Sequence, residues 1–340
     1  MVTKQPDSII YIASAKASFV LQDIDRLSQE LEVNPFFFSG KKKWLVPVEM
    51  LQLFFFVLIR KRQPILISFG GYHSFMGTLA GKLKKAKSYI ILNGTDSVAM
   101  PEFQYGHLRK GLLRWCCRKS YEWAVKIFPV SYSLIETQNN YAFQGKMLGL
   151  KATFPGLYID YKVIPNGFDV DFWKAQNTAE AKSVITVATA NRSVHKGVDL
   201  ILQVAAKMKD YSFSIAGIAT LDQCPENVKC LGYLSADDLR AEYVRSRYYF
   251  QLSIWEGFGC ALCEAMLSGC IPLVSNVNML PEIVADDRLV LHERSAEALE
   301  LKMKELEAVE FQEGFFQDQI EARFSISDRI SSLLKEIHVG

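Results

Sequence analysis

Long hydrophobic runs, internal repeats and low-complexity tracts are all missing from this sequence. Its most apolar stretch, from Trp44 to Ile59, is interrupted by Glu49 and Gln52 and falls short of the ~20 apolar residues that a membrane-spanning helix needs. The first residues are not followed by the apolar core of a cleaved leader peptide. Because 49% of the residues are hydrophobic and 22% are charged, the composition excludes disordered, collagen-like and coiled-coil proteins.

The seven cysteines show neither a disulfide framework nor the spacing of a metal site. Their number is odd, and Cys260 and Cys263 form a lone Cys-x-x-Cys motif without a second pair or a nearby histidine. We therefore expect reduced thiols that pack as small buried hydrophobes. The protein is expected to be cytoplasmic, and to lie at the inner face of the plasma membrane if it docks on lipid.

The net charge of +2 is small but unevenly distributed. Residues 1–165 contain 22 Lys and Arg against 11 Asp and Glu, a net charge of +11, whereas residues 166–340 contain 17 against 26, a net charge of −9. This asymmetry indicates two domains with different partners, the basic one near a membrane surface or a polyanion. Motifs of RNA or DNA recognition are absent, so nucleic acid is not an expected partner.

Short apolar runs alternate with amphipathic segments of helical length, which is typical of parallel α/β layers. Helices are predicted at 199–207, 236–245 and 260–267, the second opened by a capping box from Ser235 to Asp238. Strands are predicted at Ile9–Ala13, Ile65–Phe69, Tyr89–Leu92, Lys126–Val130, Lys162–Ile164, Val184–Ala188, Phe213–Ala216, Val228–Leu231, Tyr248–Leu252 and Ile271–Val274.

The domain boundary is expected at Pro165-Asn166-Gly167. Proline followed by Asn-Gly permits a sharp turn without a long linker, and the charge changes sign at the same place. We predict one domain over residues 1–165 and a second over 166–340, with a last helix that can pack back on the first domain.

The apolar stretch from Trp44 to Ile59 is open to two interpretations. It can be a mostly buried helix of an α/β domain. It can also dock on an anionic membrane surface, because basic residues flank it at 41–43 and 60–62.

The segment from Ser253 to Met266 carries the most informative chemistry. A predicted strand runs into a glycine-containing loop, Glu256-Gly-Phe-Gly259, from which a helix begins. Free N–H groups at a helix start bind anions, and Glu256 and Glu264 can accept hydrogen bonds from sugar or ribose hydroxyls. Surface glutamates without a ligand remain the alternative interpretation.

A second loop, from Thr189 to Gly197, follows another predicted strand and contains Arg192 and Lys196. Both side chains bind phosphate well. A basic loop of this kind is usually just solvated, but together with the Glu256 loop it would build both walls of a diphosphate pocket.

Three motifs in this order resemble the retaining family-4 glycosyltransferases of GT-B fold. They are Val163-Ile-Pro-Asn-Gly-Phe-Asp169, Lys196-Gly-Val-Asp199, and Glu256-Gly-Phe-Gly259 with Glu264-Ala-Met266. The resemblance implies two Rossmann-like doubly wound α/β domains facing across a cleft, with acceptor on the first and donor on the second. It also implies a nucleotide-diphosphate sugar as co-substrate, no metal and no other cofactor.

The resemblance assigns roles to individual residues. Arg192 and Lys196 would hold the donor diphosphate, Glu264 the ribose hydroxyls, and Glu256 the hydroxyls of the transferred sugar. The spacing from Arg192 to Lys196 is four, where five is more usual in the family. Further donor-binding residues, through backbone N–H groups or as family landmarks, would be Gly257, Phe258, Gly259, Gly232 and Tyr233.

The acceptor side is less sharply defined. Asn93 stands where many family members have a histidine, and Asn93 and Asp96 are expected on an acceptor-side loop. His73 could serve as the catalytic histidine instead, or be a structural residue. The strings Asp23-Ile-Asp25 and Asp169-Val-Asp171 resemble metal-binding motifs of another glycosyltransferase fold, but we expect no metal at either.

The resemblance therefore implies a metal-independent hexosyltransferase, and we expect it to transfer a sugar to a glycan or lipid-linked acceptor in surface polysaccharide biosynthesis. No carboxylate is placed as a nucleophile, which favours front-face transfer with retention. Two alternatives remain open: a sugar-nucleotide epimerase of the same fold, and a catalytically inactive partner protein, which Asn93 suggests.

Overall fold

The computed structural model describes residues 6–14, 16–40 and 42–337. The chain divides into two compact units. The first contains residues 1–138, 147–167 and 326–340, and the second contains residues 139–146 and 168–325. The second unit thus starts two residues after the predicted boundary, and its short piece 139–146 was not predicted. The last helix lies in the first unit.

The strands and helices are short and alternate along most of the chain. The strands are β1 (Ser8–Ala13), β2 (Glu32–Phe37), β3 (Ile65–Ser68), β4 (Ser88–Leu92), β5 (Lys126–Pro129), β6 (Thr137–Asn139), β7 (Lys146–Leu148), β8 (Glu180–Val187), β9 (Ser212–Ala216), β10 (Val228–Gly232), β11 (Ser246–Gln251), β12 (Ile271–Ser275) and β13 (Val290–Leu291). The helices are α1 (Ser18–Leu27), α2 (Val46–Ile59), α3 (Tyr72–Leu83), α4 (Gly111–Trp123), α5 (Leu150–Thr153), α6 (Val170–Trp173), α7 (Val198–Lys207), α8 (Ala236–Val244), α9 (Cys260–Leu267), α10 (Leu280–Val284), α11 (Ala296–Glu307), α12 (Phe315–Arg323) and α13 (Ile326–Glu336).

A five-stranded parallel sheet forms the centre of the first unit, in the order β2-β1-β3-β4-β5. Every residue of β3 and β4 is buried, as expected when helices cover both faces of a parallel sheet. Arg329 of α13 is buried and ion-paired with buried Asp23 of α1, its Nε lying 2.7 Å from Oδ1. This pair ties the last helix into the first unit.

The second unit is built on a six-stranded parallel sheet in the order β10-β9-β8-β11-β12-β13. Helices α7, α8 and α9 begin at or within two residues of the predicted positions. Ser235 caps the start of α8, because its Oγ accepts the backbone N–H of Asp238 at 3.2 Å; the Asp238 carboxylate accepts the Ser235 hydroxyl at 2.6 Å rather than the backbone N–H that a capping box requires. Strand β8 lies at the centre of this sheet, beside β11.

The strand predictions need correction in two respects. The segment predicted as a strand at Lys162–Ile164 forms no strand, although the N–H groups of Lys162 and Ile164 donate to β5 at 3.0 Å. Strands β2, β6, β7 and β13 were not predicted. The predicted helix in the apolar stretch is α2, preceded by a 3-10 turn at Lys43–Leu45; of its basic flank, Lys41 lies outside the described residues.

All seven cysteines are free thiols, and four of them are buried: Cys116, Cys117, Cys263 and Cys270. In the part of the chain that the structure describes, no helix combines the length and the apolar character needed to cross a bilayer.

Candidate functional site

Two loops of the second unit lie side by side at one edge of its sheet. They follow β8 and β11, which are parallel neighbours, so their carboxyl ends meet at the same edge, where α/β sheets bind ligands. The backbone N–H of Ile254 in one loop donates to the carbonyl oxygen of His195 in the other at 2.9 Å. The predicted residues Lys196 and Glu256 are thereby brought together.

Lys196 and Glu256 form an ion pair in which Nζ lies 2.5 Å from Oε2. Their side chains are only 21% and 17% exposed, so the pair is shielded from most of the solvent. Gln251 Nε2 and Ser253 Oγ donate to the same oxygen at 2.7 and 3.1 Å. No described residue donates to Oε1, which leaves that oxygen as the acceptor for a ligand hydroxyl.

The pKa of Glu256 is lowered overall. Burial by itself would raise this pKa, but the charge and the hydrogen bond of Lys196 lower it by more, with smaller contributions from His195 and Ser253. Glu256 is therefore ionised at neutral pH and acts as a hydrogen-bond acceptor rather than as a proton donor.

Gln251, which the sequence analysis missed, fixes the orientation of Glu256. It is buried at the end of β11, and its Oε1 accepts the hydroxyl of Tyr249, which leaves the amide NH₂ to donate to Ser253 and Glu256. A polar residue directly after an aromatic run, Tyr-Tyr-Phe-Gln, is the sequence feature that could have indicated it.

Three further residues hold the Glu256 loop through its backbone. His195 Nε2–H donates to the carbonyl oxygen of Trp255 at 2.8 Å, and Asn139 Nδ2 donates to that of Ile254 at 2.8 Å. Asn278 Oδ1 accepts the N–H of Glu256 at 3.1 Å. Burial, and then the charge of Lys196, lower the pKa of His195 to about 4, so the ring is neutral at physiological pH.

Gly197 allows the two loops to approach closely. Its φ is +76°, and a Cβ atom at this position would lie 2.5 Å from the carbonyl oxygen of Leu252, so both torsion and space require glycine. One turn earlier, the N–H of Lys196 donates to the carbonyl oxygen of Arg192 at 2.9 Å. The spacing of four therefore places Arg192, which is exposed, on the same side of a helical turn as Lys196.

Helix α9 begins directly after Gly259, whose φ is +109°. The side chain of Phe258 is buried, its ring centroid lying 6.1 Å from that of Phe168 and 5.2 Å from that of Phe324. Only backbone groups of this predicted donor-binding residue can therefore reach a ligand. Gly257 is buried beside it.

Glu264 lies in the middle of α9 and is partly buried. Burial raises the pKa of its carboxyl group to about 7. Its carboxylate makes no hydrogen bond or ion pair with the residues that the structure describes. This carboxyl group is thus available to a ligand, and its charge changes near neutral pH.

Gly232 and Tyr233 stand at the carboxyl end of β10, two strands away from β8. Gly232 has a φ of +66°, and its N–H donates to the carbonyl oxygen of Ile218 at 2.8 Å. The side chain of Tyr233 is 92% exposed. A donor contact by either residue stays a prediction.

The first aspartate of each Asp-x-Asp string has a partner within the protein. Asp23 is paired with Arg329, and Asp169 accepts the backbone N–H of Phe172 at 3.3 Å at the start of α6. Over the described ranges, no three His, Cys, Asp or Glu side chains gather in a metal-binding group. Metal independence of the reaction stays a prediction.

In the first unit, His73 is buried in the first turn of α3. Its Nε2–H donates to the carbonyl oxygen of Ser68 at 3.0 Å, and its ring stacks on Phe38 with centroids 5.6 Å apart. Burial lowers the pKa of His73 to about 4. These contacts suit a structural histidine, and a catalytic role stays a prediction.

Asp96 joins the two loops that follow β3 and β4. Its carboxylate is fully buried and accepts backbone N–H groups from Gly70 at 2.8 Å and Gly94 at 2.9 Å. It also accepts the N–H of Asn93 at 3.1 Å, and Asn93 Nδ2 donates to Ser68 Oγ at 3.1 Å. Asp96 thus organises the loop from within, and contact of either residue with an acceptor stays a prediction.

Comparison with known sequences matches residues 169–315 to the family Glycosyl transferases group 1. The O-antigen chain mannosyltransferase B of Escherichia coli is 38% identical over 72 residues, which cover 21% of this chain and 19% of that protein. One subunit of the human phosphatidylinositol N-acetylglucosaminyltransferase is 28% identical over 153 residues, 40% of this chain and 31% of that protein. The match thus spans less than a third of either relative.

Among solved structures, Anabaena HepE in complex with UDP and glucose superposes with a TM-score of 0.68. The superposition covers 96% of this chain and 98% of that chain, at 15% sequence identity, which establishes the fold alone. The matched residues 169–315 contain Lys196, Glu256 and Glu264. Residues 169–315 are therefore similar to the family Glycosyl transferases group 1, in a chain that has the GT-B fold predicted from its sequence.

Proposed function

We propose that this protein is a retaining glycosyltransferase that moves a hexose from a nucleotide-diphosphate sugar to a glycan or lipid-linked acceptor. The nucleotide sugar is a co-substrate, and transfer needs no metal ion. The protein acts in surface polysaccharide biosynthesis, in the cytoplasm.

The Lys196–Glu256 pair is the observation that carries this proposal. A cation and an ionised carboxylate 2.5 Å apart, at the edge of a parallel sheet and beside the start of a helix, suit a ligand with two chemical faces. The ammonium attracts a diphosphate, and Glu256 Oε1 accepts a sugar hydroxyl. In a nucleotide sugar, the diphosphate and a sugar hydroxyl are attached to adjacent carbon atoms.

The remaining residues complete a front-face transfer. The bond between the sugar's anomeric carbon and the diphosphate oxygen breaks while the acceptor oxygen bonds to the same face of that carbon. Lys196, Arg192 and the N–H groups at the start of α9 stabilise the charge that develops on the diphosphate. The departing phosphate oxygen takes the acceptor's proton, and Glu264 holds the ribose hydroxyls.

Relatives support a lipid-linked or cell-surface acceptor. One is named as an O-antigen chain mannosyltransferase, and another as a phosphatidylinositol N-acetylglucosaminyltransferase subunit. The basic first unit suits an acceptor attached to an anionic lipid carrier.

The proposal is tested first by donor binding. Thermal unfolding is measured with UDP-, GDP- and ADP-sugars, because a ligand of the native state raises the midpoint. Transfer is then assayed with the donor that binds, with and without EDTA, and NMR gives the anomeric configuration of the product. We expect one nucleotide class to raise the midpoint and the product to retain the configuration.

Three results would redirect the proposal. Conversion of the donor to an isomer without any acceptor would identify an epimerase. Donor binding without turnover on any acceptor would indicate an inactive partner protein. No shift with any nucleotide sugar would contradict the site itself.

Donor binding is expected to strengthen as pH rises from about 5 to 7. Burial raises the pKa of Glu264 to about 7, so the carboxyl is mostly protonated between pH 5 and 7, whereas ribose hydroxyls bind the ionised form best. Binding therefore expels a proton, and Kd falls by up to about tenfold per pH unit before levelling off above 7. Calorimetry measures this pH dependence of the Kd. The intact nucleotide sugar is used as ligand because the terminal phosphate of a free nucleotide itself titrates near pH 6 and would add its own pH dependence.

The Glu264→Gln protein is the control for this titration. We expect weaker donor binding whose Kd no longer changes between pH 5 and 8. An unchanged pH dependence in that variant would assign the titration to another group.

Gln251→Leu is expected to lower kcat/KM for transfer about tenfold to a hundredfold, since a hydrogen bond to a charged group contributes about 1.5–3 kcal/mol. The cause is the lost bond from Gln251 Nε2 to Glu256, which frees the carboxylate to rotate. In a Glu256→Gln background the same substitution should have little further effect, because the two residues act as one unit.

A purely structural role for Gln251 would instead make the two substitutions additive. Gln203→Leu, at an exposed position of α7, is the matched control and should leave kcat/KM unchanged.

A further inference from the structure

One side of α2 is apolar and exposed along its whole length. We call it the α2 stripe: Trp44, just before the helix, then Val48, Leu51, Phe55 and Ile59. Spacings of three and four place these residues on the same side of a helix. Trp44 is 73% exposed, Phe55 57% and Ile59 79%, so the stripe is not part of the core of the first unit.

The other side of α2 fixes the helix in the fold. Leu53 and Val57 are buried, on the side where α2 packs against α3. Lys84, at the end of α3, donates from Nζ to the carbonyl oxygens of Leu58 at 3.0 Å and Arg60. The last carbonyl groups of α2 are thus capped by a cation, and a well-held helix presents the stripe.

Positive charge lies at both ends of the stripe. Residues 33–95 contain ten Lys and Arg but only one acidic residue, Glu49, whose carboxylate accepts a backbone N–H at 2.8 Å. Lys42 is exposed before the helix, and Lys61 and Arg62 are exposed after it. A partner that binds the α2 stripe therefore contacts an apolar centre between two cationic ends.

We propose that the α2 stripe docks on a membrane surface that contains anionic lipids. The apolar side chains enter the boundary between headgroups and acyl chains, Trp44 lies at the interface, and the basic ends contact the headgroups. A second copy of this chain fits less well, because two facing stripes would bring cationic ends together. This inference concerns the first unit alone and does not depend on the proposed donor site.

Vesicle co-sedimentation of the full chain tests the proposal. We expect binding to vesicles of phosphatidylcholine mixed with phosphatidylglycerol at low salt, weaker binding at higher ionic strength, and little binding to phosphatidylcholine alone. The double substitution Leu51→Gln/Phe55→Gln should weaken binding at least about tenfold, from the apolar area that it removes. Lys61→Glu/Arg62→Glu should weaken it mainly at low salt.

Leu301→Gln is the matched control, because Leu301 is also an exposed leucine (60%) on a helix, but in the second unit; it should bind vesicles like the wild type. All variants change exposed side chains, so their unfolding midpoints and donor affinities should be unchanged, which separates this test from that of the proposed function. Absence of binding to anionic vesicles, or equal binding by Leu51→Gln/Phe55→Gln, would overturn the proposal. So would a dimer in light scattering that this double substitution dissociates, since the occupant would then be a second copy.

Discussion

Replacing Lys196 by alanine is expected to lower kcat/KM for sugar transfer at least about a hundredfold. Two effects combine in this variant. The donor loses the cation that stabilises charge on its leaving diphosphate. Glu256, which is largely buried and accepts Lys196 Nζ at 2.5 Å, loses the partner whose charge keeps its pKa low, and an uncompensated buried carboxylate is strongly unfavourable.

The substitution Glu256→Gln separates these two effects. It keeps Lys196 available to the diphosphate but removes the charge that accepts the sugar hydroxyl, so we expect a large loss in kcat with smaller change in donor affinity. Lys196→Ala should instead raise the donor Kd as well as lower kcat. Isothermal calorimetry for Kd and steady-state kinetics for kcat and KM distinguish the two patterns.

Lys207→Ala is the matched control for Lys196→Ala. Lys207, at the end of the helix that follows the Lys196 loop, is also ion-paired, with Glu297 at 3.1 Å, but its side chain is 46% exposed. Exposed pairs contribute little, so this variant should transfer sugar like the wild type. If Lys196→Ala also kept kcat/KM within about twofold of the wild type, the ion pair would not be part of the active site.

The fold is predictable where burial leaves a continuous apolar run. Strands β3, β4 and β12 are buried at every residue, and each appears in the sequence as such a run. Strand β2 does not, because it is an edge strand with partly exposed residues and contains Pro35, which an edge position tolerates. This edge strand therefore leaves a weak pattern in the sequence, whereas the edge strands β5 and β10 were predicted.

Each unit also includes a segment that lies apart from the rest of that unit in sequence, and the sequence pattern does not predict which unit such a segment joins. Residues 139–146 belong to the second unit because Asn139 is buried and donates to the carbonyl oxygen of Ile254. Helix α13 belongs to the first unit because of Arg329. Both assignments depend on contacts between residues more than 100 positions apart in the chain, and no local periodicity records such contacts.

At the candidate site, residue type indicates the groups that can touch a ligand but not the groups that position them. Lys196 and Glu256 are indicated because charged residues follow predicted strands beside glycines. His195 and Asn278 act on backbone atoms of the Glu256 loop, and many residue types make such bonds. Asp96 is a third case: a carboxylate in a loop suggests a ligand contact, and residue type alone does not show that this one is buried and accepts backbone N–H groups.

Arg329→Met is expected to destabilise the first unit by about 3–5 kcal/mol, the usual cost of breaking a buried ion pair by removing one partner. Both residues are almost fully buried, Arg329 4% and Asp23 1% exposed. The guanidinium makes two hydrogen bonds to the Asp23 carboxylate, each 2.7 Å long. It also donates to the carbonyl oxygen of Pro165 at 2.7 Å, so its loss leaves a buried carboxylate without its cation and a carbonyl oxygen without this donor.

The double variant Arg329→Met/Asp23→Leu shows whether Arg329→Met loses stability because of the unpaired charge or because of altered packing. Replacing both partners by apolar groups removes the uncompensated carboxylate, so it should recover most of the stability that Arg329→Met loses. Arg288→Met removes an exposed arginine from its pair with Asp286 and should change stability by less than about 1 kcal/mol. Hydrogen exchange of peptides from α1 and α13 at rising urea concentration measures the first unit separately from the second. Because the ion pair joins α13 to α1, we expect both helices to lose protection from exchange together in Arg329→Met. Loss of protection in α13 alone would mean that the pair stabilises only the last helix and not the first unit as a whole.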